Sequence, residues 1–250
     1  MYGLATPITA AWKVDLRQFV DRQLKWDGAI PDNLRPLWES NFAMIGQLKD
    51  LRYKRAVVPD DAASLEIETL EFGDASKVLV CVAIYVRFLR KCGSYSCQLL
   101  LGKSRLVPEG MSQPRAEMYA AVVNTHSDEI VRRALAEYHK KSVKFTDSQI
   151  VLHWISNDSR AHKQWLRNRH IEVIRFTHAV WWFYVKSANL IADIGTRPGA
   201  QLKDVDQDST WINRFEWMKG EGSDFPTQTV DEIKLIASEI IPHTEVNMTV

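Results

Sequence analysis

Apolar side chains recur at near-helical spacing over residues 1–60: Trp12, Leu16, Phe19, Val20 and Leu24 fall on one stripe. Pro31 and Pro36 interrupt the pattern, and a second helix is predicted over 37–48. Residues 57–63 (VVPDDAA) read as a connector. From residue 65 the period changes. LEIETLEFGDAS alternates and then turns at 73–76. VLVCVAIYVRFL (78–89) is rich in β-branched residues and reads as a buried strand. A turn centred on Gly93 leads into a third strand, YSCQLLLGKSR, so an antiparallel meander is expected.

A loop at 105–113 precedes Pro114, which suits the first turn of a helix. Met118, Ala121, Val122, Thr125, Ile130, Ala134 and Leu135 continue it as a long amphipathic helix. VKFT (143–146) is a short strand, 150–155 a helix, 160–175 a basic helix and WWFYV (181–185) a last strand. This order predicts an α/β fold: a mixed five-stranded sheet with flanking helices, preceded by a small, mainly helical region. The expected division is a helical region at 1–63, the α/β domain at 64–200, and an acidic, Trp-containing tail or linker at 201–250.

Composition fits a globular chain: 250 residues, 46% hydrophobic and 25% charged, with nine tryptophans for a substantial core. Three cysteines without a CxxC pair argue against a disulfide framework or a zinc site and for a reducing compartment. No apolar run is long enough for a membrane span, and no signal peptide is read at the start.

The net charge of +1 conceals an uneven distribution. Residues 132–175 carry ten basic and four acidic side chains, residues 201–250 four basic and ten acidic. A basic middle suits nucleic acid, and it equally suits a solvated helix face.

Four carboxylates occupy comparable places. Asp74 ends the first strand, Glu117 lies near the start of the long helix, Asp147 follows the fourth strand, and Asp193 follows the fifth. Strand ends of an open α/β sheet are where sites gather. Converging carboxylates repel unless protonated or joined by cations, and an oxygen-only set suits Mg²⁺ or Mn²⁺. Two ions in such a cage favour in-line phosphodiester cleavage. Each position also has a plainer reading: Asp74 as a hairpin residue, Asp147 as a helix cap, Glu117 as a partner of the helix dipole. The order Asp, Glu, Asp, Asp on matching elements is the signal.

The stretches FGDAS (72–76), VAIYVR (82–87), KSRLVP (103–108), PRAEMYAA (114–121), FTDSQIVLHWI (145–155) and NLIADIGTR (189–197) resemble the RNase H domain of long-terminal-repeat retroelements, most closely the BEL/Pao type. LKWD (24–27) resembles the connection after a reverse-transcriptase palm, and Trp211 with EWM (216–218) resembles the tail after such a domain. The resemblance implies an RNase H-like fold that cuts the RNA strand of RNA–DNA hybrids. It implies two Mg²⁺ (or Mn²⁺) ions on Asp74, Glu117, Asp147 and Asp193. Nucleic-acid contacts would come from Ser148, Gln149, Arg160, Lys163, Arg167 and Arg169. It also implies a Pol polyprotein with a polymerase part as partner, in the cytoplasm (within a virus-like particle) or the nucleus, and no membrane. The chain departs from the pattern in having no histidine on the loop before Asp193, and Arg214-Phe215 where the family usually has Gly-Pro.

Three other classes compete. An aspartic peptidase needs Asp-Thr-Gly or Asp-Ser-Gly, and neither triplet occurs. An integrase orders its acids Asp, Asp, Glu. A domesticated or inactive fragment would bind nucleic acid or protein without cutting, and metal dependence separates it from an enzyme.

Overall fold

The computed structural model describes residues 3–233 apart from 24, 26, 159 and 161. Leu24 of the predicted apolar stripe, Trp26 of LKWD, and residues 234–250 of the predicted tail lie outside the described residues. Among the described residues no helix is long and apolar enough to cross a membrane.

Helix α1 (Thr6–Asp21) opens with Pro7 in its first turn, and α2 (Arg35–Leu48) with Pro36. Both prolines sit where a missing N–H costs nothing. The meander follows: β1 (Ile67–Ala75), β2 (Leu79–Leu89) and β3 (Tyr95–Leu106), each antiparallel to the last. The β2–β3 turn uses Gly93 at φ +86°, a conformation open to glycine. The first turn lies later than the pattern predicted. Gly73 and Asp74 remain in β1, paired with Val82 and Cys81, and the chain reverses only after Ala75.

Helix α3 (Gln113–Ala134) crosses to β4 (His139–Thr146), which runs parallel to β1 and begins four residues earlier than predicted. Helices α4 (Gln149–Ser156) and α5 (Gln164–Ile174) lead to β5 (Trp182–Val185), parallel to β4. A two-residue strand, β6 (Thr227–Gln228), pairs antiparallel with β5. The sheet thus has six strands in the order β3-β2-β1-β4-β5-β6, mixed in direction and flanked by helices. The α/β class is as the sequence indicated. The sixth strand was not, because two residues carry no period.

Strand β2 is buried along nearly its whole length because both sheet faces are covered. On one face Val80, Val82 and Ile84 meet Ala116, Ala120 and Val123 of α3. On the other, Phe72, Tyr85 and Phe145 pack with Trp211, and Ile8 of α1 joins them. Phe72 and Phe145 stack at 4.8 Å between ring centres, and the Tyr85 hydroxyl donates to the Trp211 carbonyl at 2.5 Å. The tail and α1 are therefore parts of one core.

Beneath α3 lies a fully buried ion cluster. Lys144 of β4 pairs with Glu71 of β1 and with Asp128 of α3, the latter at 3.0 Å, and donates to Asn124 at 3.0 Å. Burial pushes the Glu71 carboxyl up to about 7, while the Lys144 charge pulls it down. Lys144, counted with the basic middle, is thus withdrawn from the surface. Asp61, in the connector, accepts twice from Arg90 Nε, at 2.9 and 3.0 Å.

Candidate active site

Strands β1, β4 and β5 run parallel side by side, so their C-terminal ends share one edge of the sheet. Asp74 is the penultimate residue of β1, and Asp147 follows β4 directly. Beyond β5 the chain passes through a short 3-10 helix (Ser187–Asn189) into a second, Ile191–Gly195, that carries Asp193. Glu117 lies in the second turn of α3.

Two close contacts fix this geometry. Gly195 sits against Cys81, the residue facing Asp74 across the β1–β2 pair, and a Cβ at 195 would overlap the Cys81 sulfur. The turn bearing Asp193 is thereby held beside Asp74. Gln113 donates to the carbonyl of Ala75 at 2.5 Å and to Glu117 at 3.3 Å, which ties the start of α3 to the end of β1.

The electrostatics agree. Burial pushes the Asp74 carboxyl up to about 6; a hydrogen bond from Thr196 opposes this, and the charges of Asp147 and Asp193 add to it. The charges of Asp147 and Asp193 thus reach Asp74. Glu117 joins through Ser148, whose hydroxyl donates to it at 2.5 Å.

Each carboxylate also has a local donor. Thr196 donates to Asp74, Ser187 to Asp147 at 2.5 Å, Ser148 to Glu117, and Arg197 pairs with Asp193. Among the described residues no three such side chains are grouped as they would be around a metal ion. The donor set nevertheless fits a hard divalent cation, since its atoms are all oxygens and its charges raise the Asp74 pKa.

The predicted nucleic-acid contacts fall on two elements. Ser148 is the buried N-cap of α4, accepting from the Val151 N–H at 3.2 Å, and Gln149 beside it is exposed. Arg160 is paired with Asp158, Arg169 with Glu172, and Arg167 donates to the Arg160 carbonyl at 3.3 Å. Lys163 is the exposed N-cap residue of α5. The ion pairs of Arg160 and Arg169 thus go to Asp158 and Glu172, not to Asp74, Glu117, Asp147 or Asp193. The partners Gln113, Ser187, Thr196 and Arg197 were missed. Only Thr196 and Arg197 left a signal, three and four residues after Asp193, the spacing of a helical turn.

The chain resembles, in fold, the N-terminal RNase H domain of rv2228c from Mycobacterium tuberculosis, solved as a fusion with maltose-binding protein. Identity is 10%, the match covers 52% of this chain and 94% of that one, and the TM-score is 0.34. For RNase H1 of the halophilic archaeon Halobacterium salinarum NRC-1 the values are 12%, 51%, 90% and 0.30. No curated protein matches the sequence. The profile of one family, described as Pao retrotransposon-like RNaseH-like domain, matches residues 1–148. That match takes in α1, the meander, Asp74, Glu117 and Asp147, and stops before Asp193. Spanning more than half of the sequence, it places this chain in the Pao retrotransposon-like RNaseH-like domain family.

Proposed function

We propose that this chain is a ribonuclease of the RNase H type that hydrolyses the RNA strand of RNA–DNA hybrids within a retrotransposon reverse transcriptase polyprotein. One observation carries the reading. Asp74 and Asp147 lie at the ends of neighbouring parallel strands, the turn bearing Asp193 is packed against Cys81 beside Asp74, and Glu117 is hydrogen-bonded to Ser148, the residue after Asp147.

Asp74, Glu117, Asp147 and Asp193 would hold two Mg²⁺ or Mn²⁺ ions. The chemistry supplied there is charge stabilisation of the attacking and leaving oxygens of an in-line displacement. The chain's own residues prepare the site. Thr196 and Ser187 orient Asp74 and Asp147, and Ser148 holds Glu117 toward them. Arg197 balances the Asp193 charge. Gln149, with Arg160, Lys163, Arg167 and Arg169, is assigned to the phosphates of the hybrid, and the polymerase part of the polyprotein to further contacts; Ser148, expected among them, is buried with its one hydroxyl proton committed to Glu117.

The test is cleavage of an end-labelled RNA–DNA hybrid with Mg²⁺ or Mn²⁺, beside Asp147→Asn and a duplex DNA control. Cutting confined to the hybrid and lost in the variant supports the reading. A folded protein that binds the hybrid without cutting it overturns the reading. A second reading, a fragment that binds without cutting, is favoured by the local donor that each carboxylate already holds.

A further inference from the structure

At the opposite end of the sheet, where β2 hands over to β3, lies a cavity of about 980 Å³. Its walls come mainly from residues 52–61, which lead into and through the connector, from the start of β3, and from the tail between 207 and 219, with Leu4 and Arg90 completing them. The Tyr53 hydroxyl donates to the Val205 carbonyl at 2.7 Å and fixes the segment before the connector to the tail.

The wall is cationic. Six of its side chains are Lys or Arg and three are Asp. Arg90 is cancelled by Asp61, and Lys219 is held by Glu216 outside the wall. The other four cations are not neutralised by an ion pair among the described residues. Arg52 donates only to the backbone carbonyls of Lys49 and Leu51, so its charge is unspent. Lys54 and Arg55 are exposed at the rim. Arg214 lines the cavity with its Nε buried and without a hydrogen-bond partner. A buried guanidinium N–H left unsatisfied is costly, and an incoming oxygen would satisfy it.

Tyr53 and Tyr95 line the same cavity as these cations. Tyr95 is held in place beneath Arg87, whose guanidinium lies 3.8 Å from the ring centre. Cations spread along a cleft with aromatic rings between them are the arrangement that tracks a single-stranded nucleic acid, phosphates on the cations and bases on the rings. A free phosphate or nucleotide would call for convergent donors around one point, and a smaller space. The cavity is also separate from the carboxylates. Asp74 faces Cys81 whereas Glu68 faces Arg87, six residues further along β2, or about 20 Å at the rise of a strand.

We infer that this cavity is a second nucleic-acid site, which takes the phosphodiester backbone of a single strand. It does not depend on cleavage at the carboxylates, so binding is measured with chelator present.

The probe is a short fluorescein-labelled oligothymidylate, followed by anisotropy over a salt series. Lys54→Gln with Arg55→Gln should weaken binding about tenfold. It should also flatten the slope of log K against log salt by about 1.4, at about 0.7 for each phosphate that the variant no longer neutralises. Both side chains are exposed, so the variant should melt as the parent does. A folded variant with the parent's affinity and slope would overturn the assignment. So would displacement of the strand by inorganic phosphate or ADP at equal phosphate concentration, because the site would then serve free anions.

Discussion

The hydroxyl of Ser148 donates to Glu117 across 2.5 Å while its oxygen accepts the Val151 N–H at 3.2 Å. One side chain thus caps α4 and steers a carboxylate of α3. Ser148→Ala should remove both effects. Loss of the cap costs about 1 kcal/mol of stability in urea titration. Without its donor to Glu117 the protein should cleave the hybrid about tenfold more slowly, and Ser148→Thr should restore most of each effect. An unchanged unfolding midpoint in Ser148→Ala would show that the cap contributes nothing.

Asp74 should make metal-free stability depend on pH in a definite direction. Its folded pKa of about 6 lies above the ordinary 3.8, chiefly through burial, so the folded protein holds this proton more tightly than the unfolded chain. The stabilisation is full below about pH 3.8 and is lost as pH rises through about 6. Asp74→Asn keeps the neutral form at every pH. With chelator present the variant should exceed the parent by about 3 kcal/mol near neutrality, and the gap should close in acid. A gap independent of pH would show that the charge of Asp74 is not the cause.

Lys144 bonds to three acceptors, Glu71, Asp128 and Asn124, and it is fully buried with both carboxylates. Lys144→Met would leave Glu71 buried without a cation and facing Asp128, which would keep only Arg132, at 3.1 Å. The expected loss is about 3–5 kcal/mol, read as a steep fall in the thermal midpoint. Glu71→Gln should cost far less, because Asp128 still pairs with the lysine. A Lys144→Met protein within about 1 kcal/mol of the parent would mean that water reaches the cluster.

The placement of Asp74 and Asp147 was legible because strand periodicity located the ends of β1 and β4, which run parallel side by side. The ion cluster was not. Lys144 stands in Val-Lys-Phe-Thr, where alternation alone makes a lysine a solvent-facing residue. Only the crossing of α3 over β1 and β4, with Asp128 aimed down from the helix, makes that face an interior. The cationic cavity was hidden for a similar reason. The tail is acidic as a whole, so Arg214 and Lys219 vanish into its negative balance until the fold brings them to Arg52, Lys54 and Arg55.

Arg214 joins strain to function. Its φ of +59° lies in the left-handed region, where a side chain costs about 1–3 kcal/mol and glycine is at ease. Arg214→Gly removes that cost and gives back part of it through the freer unfolded chain, for a net gain of about 1 kcal/mol. Arg214→Ala keeps the Cβ and should show no such gain, which separates backbone relief from removal of the buried, unpartnered Nε. Both variants should bind the single strand more weakly than the parent, since each removes the cation that reaches into the cavity. Urea titration and anisotropy on the same preparations test the two halves together. If glycine and alanine change stability alike, the backbone at 214 stores no strain, and the arginine is retained for its charge alone.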